Sequence, residues 1–464
     1  MRATPSRITW LIAPALFLVL VAVTLHQPNY LLGDFRAFYC AGAAIDAGAD
    51  PYRMQPLLGC EAATAAAAGT PEVKYGVAVP APLPPHALLP FAVLGRLPFV
   101  IAAFVYTALA AAAGIAAGFL LARATGARAL EIDLVLAAIT GTVTLYIGQP
   151  MPFVLLALAG AALAVRAGRW WTAALCLTVA TGEPHVAAAP ILALLVVEQR
   201  ARLPLAVCLA GAAATGIAAL GWPLTVAYVR EVLPAHALAN AYEWQYSLTS
   251  VLTSAGLDAA RAVRLGEVMF AAMLLLGLLV AARLRRLTGD AAALVLVPPA
   301  FALFGGVHVH VQQLAAAFPA GLYAAVRFPR VGAAAAAGIA FAMIPWNVVA
   351  TSTAVGCGPL LVGAFGALRI GWRAGLVLAA SAAAIEISLP LLATLGFGPS
   401  ETHLVARTYP PTALAEISWG DFSHAALMRS SVLMQWLRIP TLCGLACILF
   451  ALVSAARTPH PRTT

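Results

Sequence analysis

The chain has 464 residues, of which 62% are hydrophobic and only 10% charged, and its mean hydropathy is +0.92. Apolar runs of about 20 residues, enough to cross ~30 Å of hydrocarbon, recur along it, so the composition excludes a soluble globular protein and requires a polytopic membrane protein. A formal net charge of +9 would suggest a nucleic-acid partner in a soluble protein, but here the arginines occupy short gaps between apolar runs, as the positive-inside bias predicts, so the basic balance reads as topology and implies no nucleic-acid partner.

The first run, Ile8 to His26, follows Arg2 and Arg7 in the manner of a signal peptide. It is longer than a usual apolar signal region and no small-x-small cleavage site follows, so it reads as a signal anchor with a cytoplasmic N-terminus. Directly after it, Gly33-Asp34-Phe35-Arg36-Ala37-Phe38-Tyr39 and Gly48-Ala49-Asp50-Pro51-Tyr52 concentrate carboxylates, an arginine and aromatics at the lip of the membrane. Such a cluster in so apolar a chain points to chemistry at the bilayer surface.

Farther along, Arg123 and Arg128, Arg166 and Arg169, Arg200 and Arg202, Arg283, Arg285 and Arg286, Arg327 and Arg330, Arg369 and Arg373, and Arg457 mark successive returns to the cytoplasm. The alternation holds only if Trp171 to Val197 enters and leaves on one side. Thr181-Gly182-Glu183-Pro184-His185 breaks that segment into two halves of about 11 to 13 residues, each about 16 to 20 Å long, which predicts a half-depth helical hairpin. Broken helices are tolerated at membrane depth when they line a protein cavity, and Glu183 and His185 would face it.

This reading gives an all-α transmembrane bundle of about 12 full spans plus the hairpin, with both termini cytoplasmic. Three large segments fall outside: Gln27 to Pro85, Gly221 to Arg264, and Leu395 to Trp436, and short helices are expected in them. Gly148-Gln149-Pro150 and Gly305-Gly306-Val307-His308-Val309-His310 are short outer gaps. The organisation divides into a catalytic membrane module over 1–330, with outer loops 27–85 and 221–264, and C-terminal membrane helices over 331–464, with outer loop 395–436. No internal repeat is visible, which weighs against a carrier built from inverted repeats.

Seven cysteines decide little. Cys40 and Cys60 share one outer segment, where an oxidising compartment would allow a disulfide. There is no Cys-x-x-Cys, no His-Glu-x-x-His, no Walker A sequence and no Asp-x-Asp, so no metal site and no cofactor are expected. Asp34, Arg36, Asp50, Lys74, His86, Glu183, His185, Glu243, His308, His310, Asp421 and His424 would all lie at or near the outer face. A carrier concentrates its charges near the bilayer midplane, where only Glu386 stands.

Gly33 to Tyr39, running on to Ala49-Asp50-Pro51-Tyr52, resembles the signature after the first helix of glycosyltransferase family 87, membrane enzymes of the GT-C class. Pro82-Leu83-Pro84-Pro85-His86-Ala87-Leu88-Leu89-Pro90-Phe91 resembles that family's proline-rich approach to the second helix. Gly148-Gln149 precedes the fourth helix, Gly168-Arg169-Trp170 precedes the hairpin, and Gln245-Tyr246-Ser247-Leu248 resembles a polar tetrad in the second large outer loop. These marks keep their order over about Ile8 to Pro319. Glu183 departs from the pattern, since the family commonly has a lysine before this proline.

The resemblance implies transfer of a sugar, mannose, another hexose or arabinofuranose, from a polyprenyl-phosphate donor to a hydroxyl of a glycolipid or glycan acceptor, outside a bacterial inner membrane. A carboxylate near the acceptor hydroxyl can take its proton, and Asp34 at the membrane lip is the candidate base of an inverting displacement. Arg36, Lys74, His86, His185, His308 and His310 are candidates for the donor phosphate. Glu183, Glu243, Trp244 and Tyr246 are candidates for sugar or acceptor contact.

Each residue type also has a structural use. Asp34 is a favoured N-cap, Asp50-Pro51 initiates turns, and Arg36 could pair with Asp34 or reach lipid headgroups. Trp244 and Tyr246 suit interfacial anchoring. His308 and His310 diverge on a helix but share a face in an extended turn. A carrier or flippase for lipid-linked sugars, and an inactive scaffold of envelope synthesis, stand as the alternative functions.

Overall fold

The computed structural model describes residues 32–69, 76–136, 138, 147–346, 357–394, 407–428 and 437–457. The Ile8 to His26 run and Lys74 lie outside the described residues. Among those described, the regular structure is helical, with one isolated antiparallel bridge between Arg53 and Leu414.

Helix α1 (Gly33–Asp46) carries the aromatic signature. Phe35, Phe38 and Tyr39 are three and four residues apart, so they share one face of the helix. That face builds a core with α3 (Pro85–Leu94) and α4 (Phe99–Thr125): Phe35 stacks on Tyr106 at 4.5 Å between centroids, and Phe38 meets Phe91 at 5.3 Å. The α1 and α3 backbones cross so closely that a Cβ on Gly42 would lie 2.2 Å from the carbonyl carbon of Phe91. A disulfide between Cys40 and Cys60 ties α1 to α2 (Met54–Ala68).

After α5 (Ala129–Leu136) and α6 (Met151–Arg166) comes the helical hairpin. Its arms are α7 (Trp170–Ala180), 11 residues, and α8 (Pro184–Val197), 14 residues, hence about 16 and 21 Å long. α9 (Gln199–Ala227) continues through a π-turn into α10 (Leu233–Ala241), and α11 (Leu248–Ser254) and α12 (Ala259–Thr288) follow. The chain then runs through α13 (Ala293–Leu296), α14 (Pro298–Phe304), the 3-10 turn Val311–Ala317, α15 (Phe318–Arg327) and α16 (Pro329–Ala342). The last described helices are α17 (Cys357–Arg369), α18 (Trp372–Thr394), α19 (Ala415–Met428) and α20 (Ile439–Arg457).

By length and composition, four described helices can cross a membrane: 99–125, the continuous 199–241, 259–288 and 439–457. The expected dozen full spans is not reached among the described residues. Proline and glycine divide several apolar runs into shorter helices, as Pro298 does between α13 and α14. α16 and α20 cross with Gly338 against Gly444, where an added Cβ on either would come within 2.6 Å of the other's carbonyl oxygen.

The arginine gaps meet at one end of the bundle. Asp290 accepts from Arg166 at 2.7 Å and from Arg327 at 3.1 Å, buried Glu131 lies 3.6 Å from Arg369, and Glu198 pairs with Arg285. Arg283 reaches the carbonyl of Ala456 near the end of α20. Since α7 starts just after Arg169 and α8 ends beside Glu198, both feet of the hairpin stand at this end and its tip points to the other. At that opposite end the described parts of the three large loops are knitted together by Arg53. Its guanidinium bonds Asp50 at 3.0 Å, Glu231 at 3.2 Å and the carbonyl of Thr412 at 3.2 Å.

Candidate active site

The end opposite the arginines holds a cavity of about 570 Å³, walled by α1, the turn before α6, the hairpin tip, α10, the loop after it, the segment 308–313, and α19. Asp34 sits in the first turn of α1. It makes no capping bond, the N-cap position being Leu32, so its carboxylate is left to the cavity, where Oδ2 accepts from Gln149 Nε2 at 2.5 Å. The N-cap reading of Asp34 is therefore corrected.

Gly148 makes that contact possible. Its φ is +82°, a left-handed value that suits glycine, and a Cβ there would lie 2.4 Å from Phe35 Cβ. The tight turn brings Gln149 onto the start of α1. We expect Gly148→Ala to destabilise the protein by about 1–2 kcal/mol from backbone strain and about 1–3 kcal/mol from overpacking. A thermal unfolding midpoint equal to wild type in detergent would refute this.

Across the cavity stand His185 on α8, His236 on α10, and His308 and His310. His308 is central: its ring centroid is 5.1 Å from that of His185, 5.3 Å from His236 and 6.4 Å from His310. The chain bends at Val307 and His308 and is extended at His310, and both histidines line the cavity while Val309 is buried in the core. Gln245 and Tyr246 hold this segment: the N–H of Val309 donates to Gln245 Oε1 at 2.8 Å, and the N–H of Tyr246 to the carbonyl of Val309 at 2.9 Å. Gln313 closes the turn that follows: its N–H donates to the carbonyl of His310 at 3.1 Å, and its Oε1 accepts from the N–H of His310 at 2.9 Å.

Glu183 precedes α8 at the hairpin tip, where Gln313 Nε2 donates to it at 2.9 Å. Glu243 lies in the loop after α10, bonded to Trp419 and Gln245. Burial raises the carboxyl pKa of Asp34, of Glu183 and of Glu243 to about 7 in each case; Gln149 lowers that of Asp34 in part, and Glu243 raises it. Burial likewise lowers His308 and His310 to about 4, so both are neutral at pH 7. Because Gln149 favours the ionised form of Asp34, we expect Gln149→Leu to shift an Asp34-dependent acid limb to higher pH. An unmoved limb in a pH–rate profile would count against that.

The remaining sequence candidates divide. Trp244 lines the cavity, whereas Tyr246 is fully buried behind it, edge-on at 5.1 Å. Arg36 is buried with its guanidinium over the Phe99 ring at 5.7 Å, outside the cavity lining. His86 also lies outside the lining, with Nε2 2.9 Å from Thr181 Oγ1, and so buttresses the hairpin tip. Asp50 behaves as a turn residue, accepting from the N–H of Tyr52 at 3.0 Å. Asp421 is bonded to Arg407 and Tyr409, and His424 packs on Tyr242. Glu386 is buried against Gly358 of α17 and is not in the cavity wall.

His236, Asn240 and Trp419 line the cavity without having been singled out from the sequence. His236 and Asn240 are one helical turn apart and hydrogen-bonded, a pairing that i, i+4 spacing could have suggested. Trp419 comes from the distant helix α19 with no such signal. Among the described residues, no three His, Cys, Asp or Glu side chains are grouped to hold a metal ion.

Residues 83–304 match the family model of glycosyltransferase family 87. No curated protein and no solved structure matches the chain. The matched stretch bears out the resemblance read from the sequence and indicates a membrane glycosyltransferase. It contains Gln149, Glu183, His185, His236 and Glu243; Asp34 precedes it and His308 and His310 follow it.

Proposed function

We propose that this membrane glycosyltransferase moves a sugar from a polyprenyl-phosphate donor to a hydroxyl of a glycolipid or glycan, at the outer face of a bacterial plasma membrane. The observation that carries the reading is the Asp34 carboxylate, fixed by Gln149 in the wall of a cavity whose other side presents four imidazoles. The acceptor oxygen attacks the anomeric carbon, its proton passes to Asp34, and the bond from that carbon to the phosphate oxygen breaks. Polyprenyl phosphate leaves and the anomeric configuration inverts.

His308 and His310 serve as neutral donors to the phosphate oxygens, with His185 beside them. Glu183, Glu243 and Trp244 take the sugar or acceptor, the indole offering an apolar face and the acids accepting from hydroxyls. Tyr246, Arg36 and His86 act from behind the wall, and Lys74 keeps a phosphate role on its sequence alone. The convergence of arginines at the opposite end and the Cys40–Cys60 disulfide support an outward-facing site with a cytoplasmic arginine end. The catalytic module is assigned to 1–330, with 331–464 completing the bundle.

Purified protein incubated with radiolabelled polyprenyl-phosphate mannose, other hexoses or arabinofuranose and a panel of acceptor lipids should give a labelled product of inverted configuration. A retained configuration, or no transfer from any of these donors, refutes the proposal.

A further inference from the structure

Arg438 is a buried charge that the proposed chemistry does not use. It is 1% exposed and precedes α20, with its guanidinium 5.5 Å from the Trp244 ring and Nη2 3.4 Å from Ser254 Oγ. Among the described residues its buried Nε finds no hydrogen-bond acceptor and no ion pair includes it. Only Glu72 and Glu401, of the 18 acids in the chain, lie outside the described residues. A guanidinium does not shed its proton in a protein, so it cannot escape burial by neutralising. Holding it from water without a counter-ion is strongly unfavourable, and an anion brought by a ligand removes that penalty.

Two positions narrow the anion. α20 has 19 residues and so spans about 28 Å, close to the ~30 Å of a hydrocarbon core, and it ends at Arg457 on the arginine side. Arg438, at its other end, therefore stands at the depth of lipid headgroups on the cavity side. Trp244, over which the guanidinium lies, is itself part of the cavity wall. We propose that Arg438 binds the phosphate of a lipid substrate beside the Trp244 wall of the cavity. The planar fork of arginine fits two phosphate oxygens at once. The inference draws on the proposed reaction only for there being a lipid substrate.

The donor's lipid phosphate and the phosphate of an acceptor phospholipid offer the same chemistry, and separate binding arms distinguish them. Detergent-purified wild type, Arg438→Met and Arg438→Lys would be titrated with polyprenyl monophosphate and with phosphatidylglycerol, and with polyprenol and diacylglycerol as uncharged counterparts, by native mass spectrometry. Arg438→Met should raise Kd for at least one phosphate lipid by about 10- to 100-fold while leaving its uncharged counterpart unchanged. Arg438→Lys, which keeps the charge but not the fork, should lose less. The weakened arm identifies the donor or the acceptor side.

Unchanged Kd for both phosphate lipids, or equal weakening of the uncharged ones, overturns the assignment. If Arg438→Met does not fold, Arg438→Lys decides: a selective loss for a phosphate lipid supports the proposal and none overturns it. Because the readout is binding, a protein that transfers no sugar yet shows Arg438-dependent phosphate binding would sink the transferase reading alone.

Discussion

Asp34→Asn should lower kcat by about 10²- to 10⁴-fold, the usual contribution of a positioned general base, with a much smaller change in KM for either substrate. Asparagine keeps the size of the side chain and can still bond Gln149, so the change isolates proton acceptance. Burial of Asp34 puts its pKa near 7, and the base works only when ionised. Below about pH 7 the ionised fraction falls tenfold per pH unit, so the wild-type rate should rise with pH and level off above it. The residual rate of the asparagine variant should lack that limb. Equal kcat in the two proteins, measured with a labelled lipid-phosphate donor, would remove Asp34 as the base. An acid limb unchanged in the variant would assign it to another carboxyl, and Glu183 and Glu243, also near 7, are the alternatives.

Much of this site was legible because short-range rules place its parts. Asp34 follows an apolar run, Gly182 and Pro184 break a segment too short to span twice, and His308 and His310 follow paired glycines at the end of another apolar run. Those features need only local conformation and hydropathy. Helical geometry also separates Asp34 from Arg36. Two residues at about 100° each put them roughly 200° apart, so a helix starting at Gly33 cannot aim both at one cavity, and Arg36 goes to the Phe99 ring instead.

Harder to read were contacts made across the bundle. His236 on α10 and Trp419 on α19 are far apart in sequence, and only the docking of α19 on α10 brings them to one wall. Among the described residues the count of about a dozen full spans is not confirmed, for a related reason. Hydropathy records that a run is apolar but not whether an internal proline or glycine divides it, and the run 293–304 is divided at Pro298.

The second large effect is expected at His308. Its ring touches those of His185 and His236 and lies near that of His310, so it is the hub through which the imidazole wall keeps its shape. Burial keeps it neutral, with a pKa near 4. A neutral imidazole can donate one hydrogen bond to a phosphate oxygen, and the arriving charge also makes its protonation easier. The bond strengthens as the anomeric carbon–oxygen bond breaks and charge builds on the leaving phosphate, so its loss should appear in kcat as well as in binding. His308→Phe keeps a ring of similar size and removes the donor. It should lower kcat/KM by about 10²- to 10³-fold, as for loss of one donor to a developing oxyanion.

His308→Gln restores a donor without the ring and should recover part of that loss. A structural role predicts a different pattern: the phenylalanine variant would fold and act normally because it preserves the packing, while glutamine would be the damaging change. Comparing kcat/KM of the two variants at one pH, with unfolding midpoints measured in parallel, separates the cases. If His308→Phe retains full activity, the phosphate contact passes to His310 and His185.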